Sequence, residues 1–167
     1  MRIFAVALLL LLSASPAVNA AKPSPPAKKD GAPEVRQLLD KLGYKYEVDE
    51  DGDFKLTFGI DEAKDGRSQL VFVRSSVESY GSHKVREIWS PAYSSETDEF
   101  PAKVANRLLE ATQNSKMGAW AKQGRYAVFV VKLPADADAE LLDDAVDAAL
   151  RSADEMEQEL VPGKDDF

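Results

Sequence analysis

The chain has no cysteine and a single histidine, His83, among 167 residues. The first absence removes disulfides, thiol nucleophiles and thiolate metal sites together. The second removes any His-only or Cys/His zinc site, because such a site takes three or four ligands. A serine nucleophile would have His83 as its sole histidine base, and no G-x-S-x-G elbow supports one. His83 stands in a Gly/Ser-rich turn and reads as an inert surface residue. No P-loop and no G-x-G-x-x-G is present either. Positive charge is also short: Lys and Arg number 21 against 29 Asp and Glu, a formal net charge of −8. A field of that sign disfavours nucleic acid and anionic membrane surfaces as partners.

Long apolar runs are scarce, and the one that exists is informative. Ile3–Leu12 is ten residues, about half of what a bilayer-spanning helix needs (roughly 20 residues). It follows Arg2 and precedes a small-residue stretch in which Val18 and Ala20 occupy the −3 and −1 positions of a cut before Ala21. That is the pattern of a cleavable secretory signal, so residues 1–20 are expected to be removed and the protein to be periplasmic or secreted, with no membrane attachment after cleavage. No cysteine follows the run to carry a lipid. The remaining 147 residues are a single-domain length, and without staples their stability must come from packing.

Residues 21–33, "AKPSPPAKKDGAP", are proline- and lysine-rich without apolar periodicity and read as a flexible linker. A single domain is expected over 34–161, with an acidic tail at 162–167. Val35, Leu38, Leu39 and Leu42 recur at helical spacing, with Pro33 suited to the first turn and Gly43 to the C-cap. "YKYEV" and "FKLTFGI" alternate around "DEDGD" as a β-hairpin. "QLVFVR" predicts a third strand and "VREIWS" a fourth, with "SSVESYGSH" as a polar connection between them. Pro91–Asp98 reads as loop and Glu99–Asn114 as a second helix, whose buried stripe is Val104, Leu108 and Ala111. "MGAWAKQGRYAVFVVKLP" predicts another hairpin, turning near Gln123-Gly124. Its second strand is apolar at every position from Tyr126 to Val131, which implies burial on both faces.

The last helix, about Ala139–Leu160, carries Leu142, Val146, Ala149, Ala153, Met156 and Leu160 at alternating spacings of four and three. Asp138 suits its N-cap, and Pro162-Gly163 ends it. Asp143, Asp147, Asp154 and Glu157 fall on the opposite side and read as a solvated face. The fold class expected is α+β: an antiparallel sheet of four to six strands packed with three helices.

The stretch "EVDEDGDF" invites comparison with a calcium loop. Taking Glu47 as position 1 puts Asp49 at 3, Asp51 at 5, Gly52 at 6 and Phe54 at 8, but Phe58 stands where the bidentate Glu of position 12 belongs. Strand periodicity on both sides favours a type I′ or bulged hairpin turn on Asp51-Gly52, with weak cation binding by Asp49, Asp51 and Asp53 as the alternative. Trp89 and Trp120 fall in predicted strands, where core or sheet-face packing is the expected role. A Trp exposed on a sheet face would mark a partner surface, and if the helices cover only one side of the sheet, a homodimer would cover the other.

The order of parts, with "LGYKYEVDEDGDFKLTF", "LVFVR", "VANRLLEATQN", "MGAWAKQGRYAVFVVKLPAD" and "SADEMEQEL", resembles the YbjN-type domain over Pro33–Leu160. That family is described as bacterial sensory transduction regulators with a type III secretion chaperone-like fold. The resemblance implies an α+β sandwich that acts through protein contacts, often as a dimer, with no functional residues to carry over. The export signal departs from a cytoplasmic role.

The function expected is therefore a non-enzymatic periplasmic or secreted protein-interaction module, regulator- or chaperone-like, with no catalytic residue and no cofactor. Its rival is a periplasmic small-ligand or weak cation-binding protein.

Overall fold

The structure is a computed structural model that describes residues 30–60 and 66–167. The expected signal peptide, most of the linker and residues 61–65, between "FKLTFGI" and "QLVFVR", lie outside the described residues. Ten elements follow one another: α1 (Pro33–Leu42), β1 (Glu47–Val48), β2 (Phe54–Gly59), β3 (Ser68–Val73), β4 (Glu78–Tyr80), β5 (His83–Ser94), α2 (Ala102–Asn114), β6 (Ala119–Gln123), β7 (Tyr126–Pro134) and α3 (Ala139–Leu160). All strand pairs are antiparallel, in the order β1-β2-β3-β5-β7-β6, with β4 beside the start of β5. The α+β class is as expected. The seventh strand, β4, arises in the stretch read as polar connection, where Tyr80 pairs with His83 across a two-residue turn. Gly81 takes φ 59°, the left-handed value that such a hairpin turn demands.

The helices begin and end where their chemistry dictates. Pro33 opens α1, and Gly43 (φ 76°) closes it by returning its own N–H and that of Tyr44 to Asp40 and Leu39 carbonyls. That capping keeps Tyr44 out of the ladder, so β1 is only Glu47–Val48 and the "YKYEV" strand is shorter than expected. Pro101 sits at the N-cap of α2, which starts at Ala102 instead of Glu99. Asp138 caps α3 by accepting from the Leu141 N–H at 3.0 Å.

The larger correction concerns β5, which runs through Pro91 to Ser94 where a loop was expected. A proline has no N–H for a ladder and should end or bulge a central strand. The register with β7 indeed shifts between Pro91 and Tyr93. On the other side, β3 pairs with β5 in register only at Phe72↔Trp89 and Val73↔Ile88. Beyond them the buried Gln69 side-chain amide donates to the Pro91 carbonyl (2.7 Å) and Ser90 Oγ (3.1 Å), and Ser90 Oγ donates to the Leu70 carbonyl (2.6 Å). Side chains thus replace the missing ladder bonds, and the strand continues.

All three helices pack on one face. Val35 and Leu39 of α1 and Leu142, Val146 and Ala149 of α3 enclose Phe54, Leu56, Val71, Val73, Ile88, Phe129 and Val131. Leu108 of α2 closes a second cluster with Ala92, Ala127, Ala153 and Met156.

Candidate functional site

The acidic turn is occupied by its own hydrogen bonds. Asp49 Oδ1 accepts from the N–H groups of Asp51 (3.0 Å) and Asp53 (2.9 Å). Asp53 accepts from the Ser75 N–H (2.7 Å), and its other oxygen lies 2.7 Å from Arg74 Nε. A type I′ turn needs two consecutive residues at positive φ. Only Gly52 has one (85°), and with Gly52 N–H to Asp49 O and Asp49 N–H to Asp53 O the bulged form of the hairpin is the one adopted. Among the described residues no group of three His, Asp or Glu side chains is arranged to hold a metal ion.

The acids of α3 divide, which corrects the expectation of a uniformly solvated face. Asp147 is exposed and pairs with Arg151, and Asp143 accepts from the Tyr44 hydroxyl. Asp154 and Glu157 are buried, the latter completely. Arg67 Nη2 reaches both, at 2.7 Å from Asp154 Oδ1 and 3.6 Å from Glu157 Oε2. Burial pushes the Glu157 carboxyl above its usual range, against the pull of the Asp166 N–H and Arg67. The pair lies i, i+3 beside Ala153 and Met156. Its proximity to the apolar stripe was the one signal that the sequence offered.

The face of the sheet away from the helices holds the feature of most consequence. Residues paired across antiparallel strands point to the same side, so the registers define one row from edge to edge: Glu47, Lys55, Phe72, Trp89, Val130 and Ala119. A parallel row carries Thr57 and Leu70 on β2 and β3, then Pro91, Val128 and Ala121 on β5, β7 and β6. Six apolar side chains of the two rows (Leu70, Phe72, Trp89, Pro91, Val128, Val130) make a contiguous patch, most of which lines an open groove of about 650 Å³. This is the second buried face expected of β7: Val128 lies in the groove lining, and Val128 and Val130 are both buried, although Tyr126 at the start of the strand is exposed.

Each tryptophan has a different post. Trp89 lies half-buried on this open face, with the Arg74 guanidinium 4.3 Å from its ring centroid and its Nε1–H donating to Glu87 Oε2 (2.8 Å). Trp120 packs edge-on against Phe129 under the helices (5.3 Å). His83 is exposed at the start of β5, on the rim of a separate cleft with Lys84, Arg86, Lys132 and Asp136. In that cleft Arg86 is held by Glu34 and by the Arg74 and Ser75 carbonyls, and Lys132 by Glu87.

The chain matches no protein-family model, and no curated protein matches it.

Proposed function

We propose that the chain is an exported, non-enzymatic protein-interaction module of YbjN type that self-associates through the open face of its sheet. The observation that carries this reading is the apolar patch in which Leu70, Phe72 and Trp89 stay half-exposed over the buried Val128 and Val130. Patches of contiguous apolar side chains on a folded domain mark docking surfaces, and Trp at the centre of one is a usual anchor. Charge supports a second copy as the occupant. The chain is strongly acidic, but around the patch three cations are matched by acids: Lys55 with Glu47 (3.1 Å), Lys132 with Glu87 (2.9 Å) and Arg74 with Asp53 (2.7 Å). The two further charged residues of the groove lining, Asp98 and Arg125, are of opposite sign, so two copies can approach here without a net excess of like charge from these groups. The non-catalytic part of the reading draws support from the buried carboxylates, each of which is engaged by an arginine.

Sedimentation velocity over a concentration series tests the proposal. The wild-type domain should dimerise, and Phe72→Glu, which places a charge in the centre of the patch, should be monomeric with unchanged circular dichroism. A wild type that stays monomeric at every concentration overturns it.

The groove itself favours a second reading. Its volume falls within the range of small-ligand sites (about 300–1,000 Å³), and its walls carry Phe72, Trp89 and Tyr126. Native mass spectrometry of the protein from its own host would reveal an apolar ligand as a discrete added mass.

A further inference from the structure

The segment after α3 does not leave the domain. The Val161 N–H closes on the Glu157 carbonyl (2.9 Å), and the Lys164 N–H on the Val161 carbonyl (3.1 Å), turning the chain at Pro162-Gly163. Two bonds then fasten it. The Asp165 carboxylate accepts from the Ser68 N–H at 3.1 and 3.3 Å, and the Asp166 N–H donates to Glu157 Oε1 at 2.8 Å. Ser68 begins β3, Ser94 ends β5 and Tyr126 begins β7, and the antiparallel registers put all three at one end of the sheet. The segment thus passes from the helix layer around that end and delivers Phe167 to the open face. There the Phe167 ring stands edge-on to Tyr126, centroids 6.3 Å apart, and forms one wall of the apolar groove.

We propose that Val161–Phe167 is an intramolecular strap whose Phe167 ring fills one end of the open-face groove and is displaced when a second copy docks there. Its hold is suited to release. Pro162 to Asp166 are exposed, and the anchors are single hydrogen bonds at Ser68 and Glu157. A segment with so few buried contacts opens at far lower free energy than the core does. Phe167 is the sole part of the strap that reaches the groove wall, so the strap competes with an occupant for apolar contact and not for charge. The consequence for docking rests on the self-association proposed above, whereas the strap's own geometry does not.

The test uses the full chain with two substitutions. Phe167→Ala empties the groove end, and Asp165→Ala loosens the anchor without touching the groove. Emission of the anionic dye 1-anilinonaphthalene-8-sulfonate, whose ring system brightens in apolar surroundings, reads groove access at dilutions where each protein is monomeric, and sedimentation velocity reads self-association. Both substitutions should raise dye emission with unchanged circular dichroism. Phe167→Ala should also tighten self-association on the order of two- to tenfold, the range that one aromatic contact is worth. Unchanged emission in both variants overturns the strap. Weaker self-association in Phe167→Ala overturns it too, because Phe167 would then belong to the interface. Raised emission without self-association in any variant upholds the strap and sinks the dimer.

Discussion

Arg67 Nη2 lies 2.7 Å from Asp154 Oδ1, tying the approach to β3 to the last turns of α3. Both side chains are largely buried, and the fully buried Glu157 completes the group. Breaking a buried ion pair from one side strands the remaining charge in a medium that solvates it poorly. Arg67→Ala strands two carboxylates. It should cost about 3–5 kcal/mol of stability, read from urea unfolding at neutral pH, and a loss within error of zero would show that water already reaches the site.

Glu157 gives the same group a pH signature. Its folded-state pKa is raised, first by burial, so the native state holds the proton more tightly than the unfolded chain does. The stabilisation is complete below the unfolded glutamate value (about 4.3) and is lost as pH rises through the folded value. Glu157→Gln keeps an acceptor for the Asp166 N–H and removes the titration. Its stability should gain on wild type as pH climbs from acid toward neutral. Parallel stability curves for the two proteins would contradict the assignment.

These residues also mark where sequence reasoning stopped. The stripe of α3 was legible because each of Leu142, Val146, Ala149, Ala153 and Met156 is buried by helical period alone. Asp154 and Glu157 were not, because their burial is decided by Arg67, 87 residues away from Asp154 in the chain. The apolar run Tyr126–Val131 announced burial on both faces of β7, which holds from Ala127 to Val131 but not at Tyr126, exposed at the strand's start. Joining Phe72, Trp89 and Val130 into one patch required the strand order, which no local pattern contains. Pro91 misled for a related reason: its missing N–H ends strands unless side chains compensate, and here Ser90 Oγ donates to the Leu70 carbonyl while the Gln69 amide, from β3, satisfies the Pro91 carbonyl.

The Tyr44 hydroxyl donates to Asp143, fastening the end of α1 to α3. Burial and then the Asp143 carboxylate raise the Tyr44 pKa. A raised tyrosine contributes stability that is present below its unfolded value (about 10) and is lost as pH rises through the folded value. Tyr44→Phe should therefore cost about 0.5–1.5 kcal/mol near neutral pH. In alkaline buffer the gap to wild type should shrink. Thermal melts of both proteins across the alkaline range check this, and a gap that widens would refute it.

Calcium at the acidic turn would have to displace Arg74 from Asp53 and two N–H groups from Asp49. Melting temperatures in millimolar calcium and in chelator should coincide. Asp49→Ala, by contrast, should lower stability by about 1–3 kcal/mol, the worth of two hydrogen bonds. A calcium-dependent rise in wild type that Asp49→Ala abolishes would restore the cation reading.

Two glycines with similar backbone angles separate conformational strain from close packing. Gly43 has φ 76° with nothing within 4 Å of an added Cβ, whereas Gly118 has φ 85° and a Cβ there would sit 2.6 Å from the Val130 carbonyl and 2.8 Å from Phe129 Cε1. Gly43→Ala should cost only the left-handed penalty, about 1–2 kcal/mol. Gly118→Ala adds a clash with backbone of β7 that no side-chain rotation can relieve, so its loss should exceed that of Gly43→Ala in the same urea titration. Val130 also lies in the apolar row of the open face. Pushing its carbonyl aside should therefore weaken self-association in Gly118→Ala, while Gly43→Ala, placed at the far end of α1, should dimerise like wild type. Equal losses of stability in the two variants would mean that the approach of Gly118 to β7 is looser than its 2.6 Å contact requires.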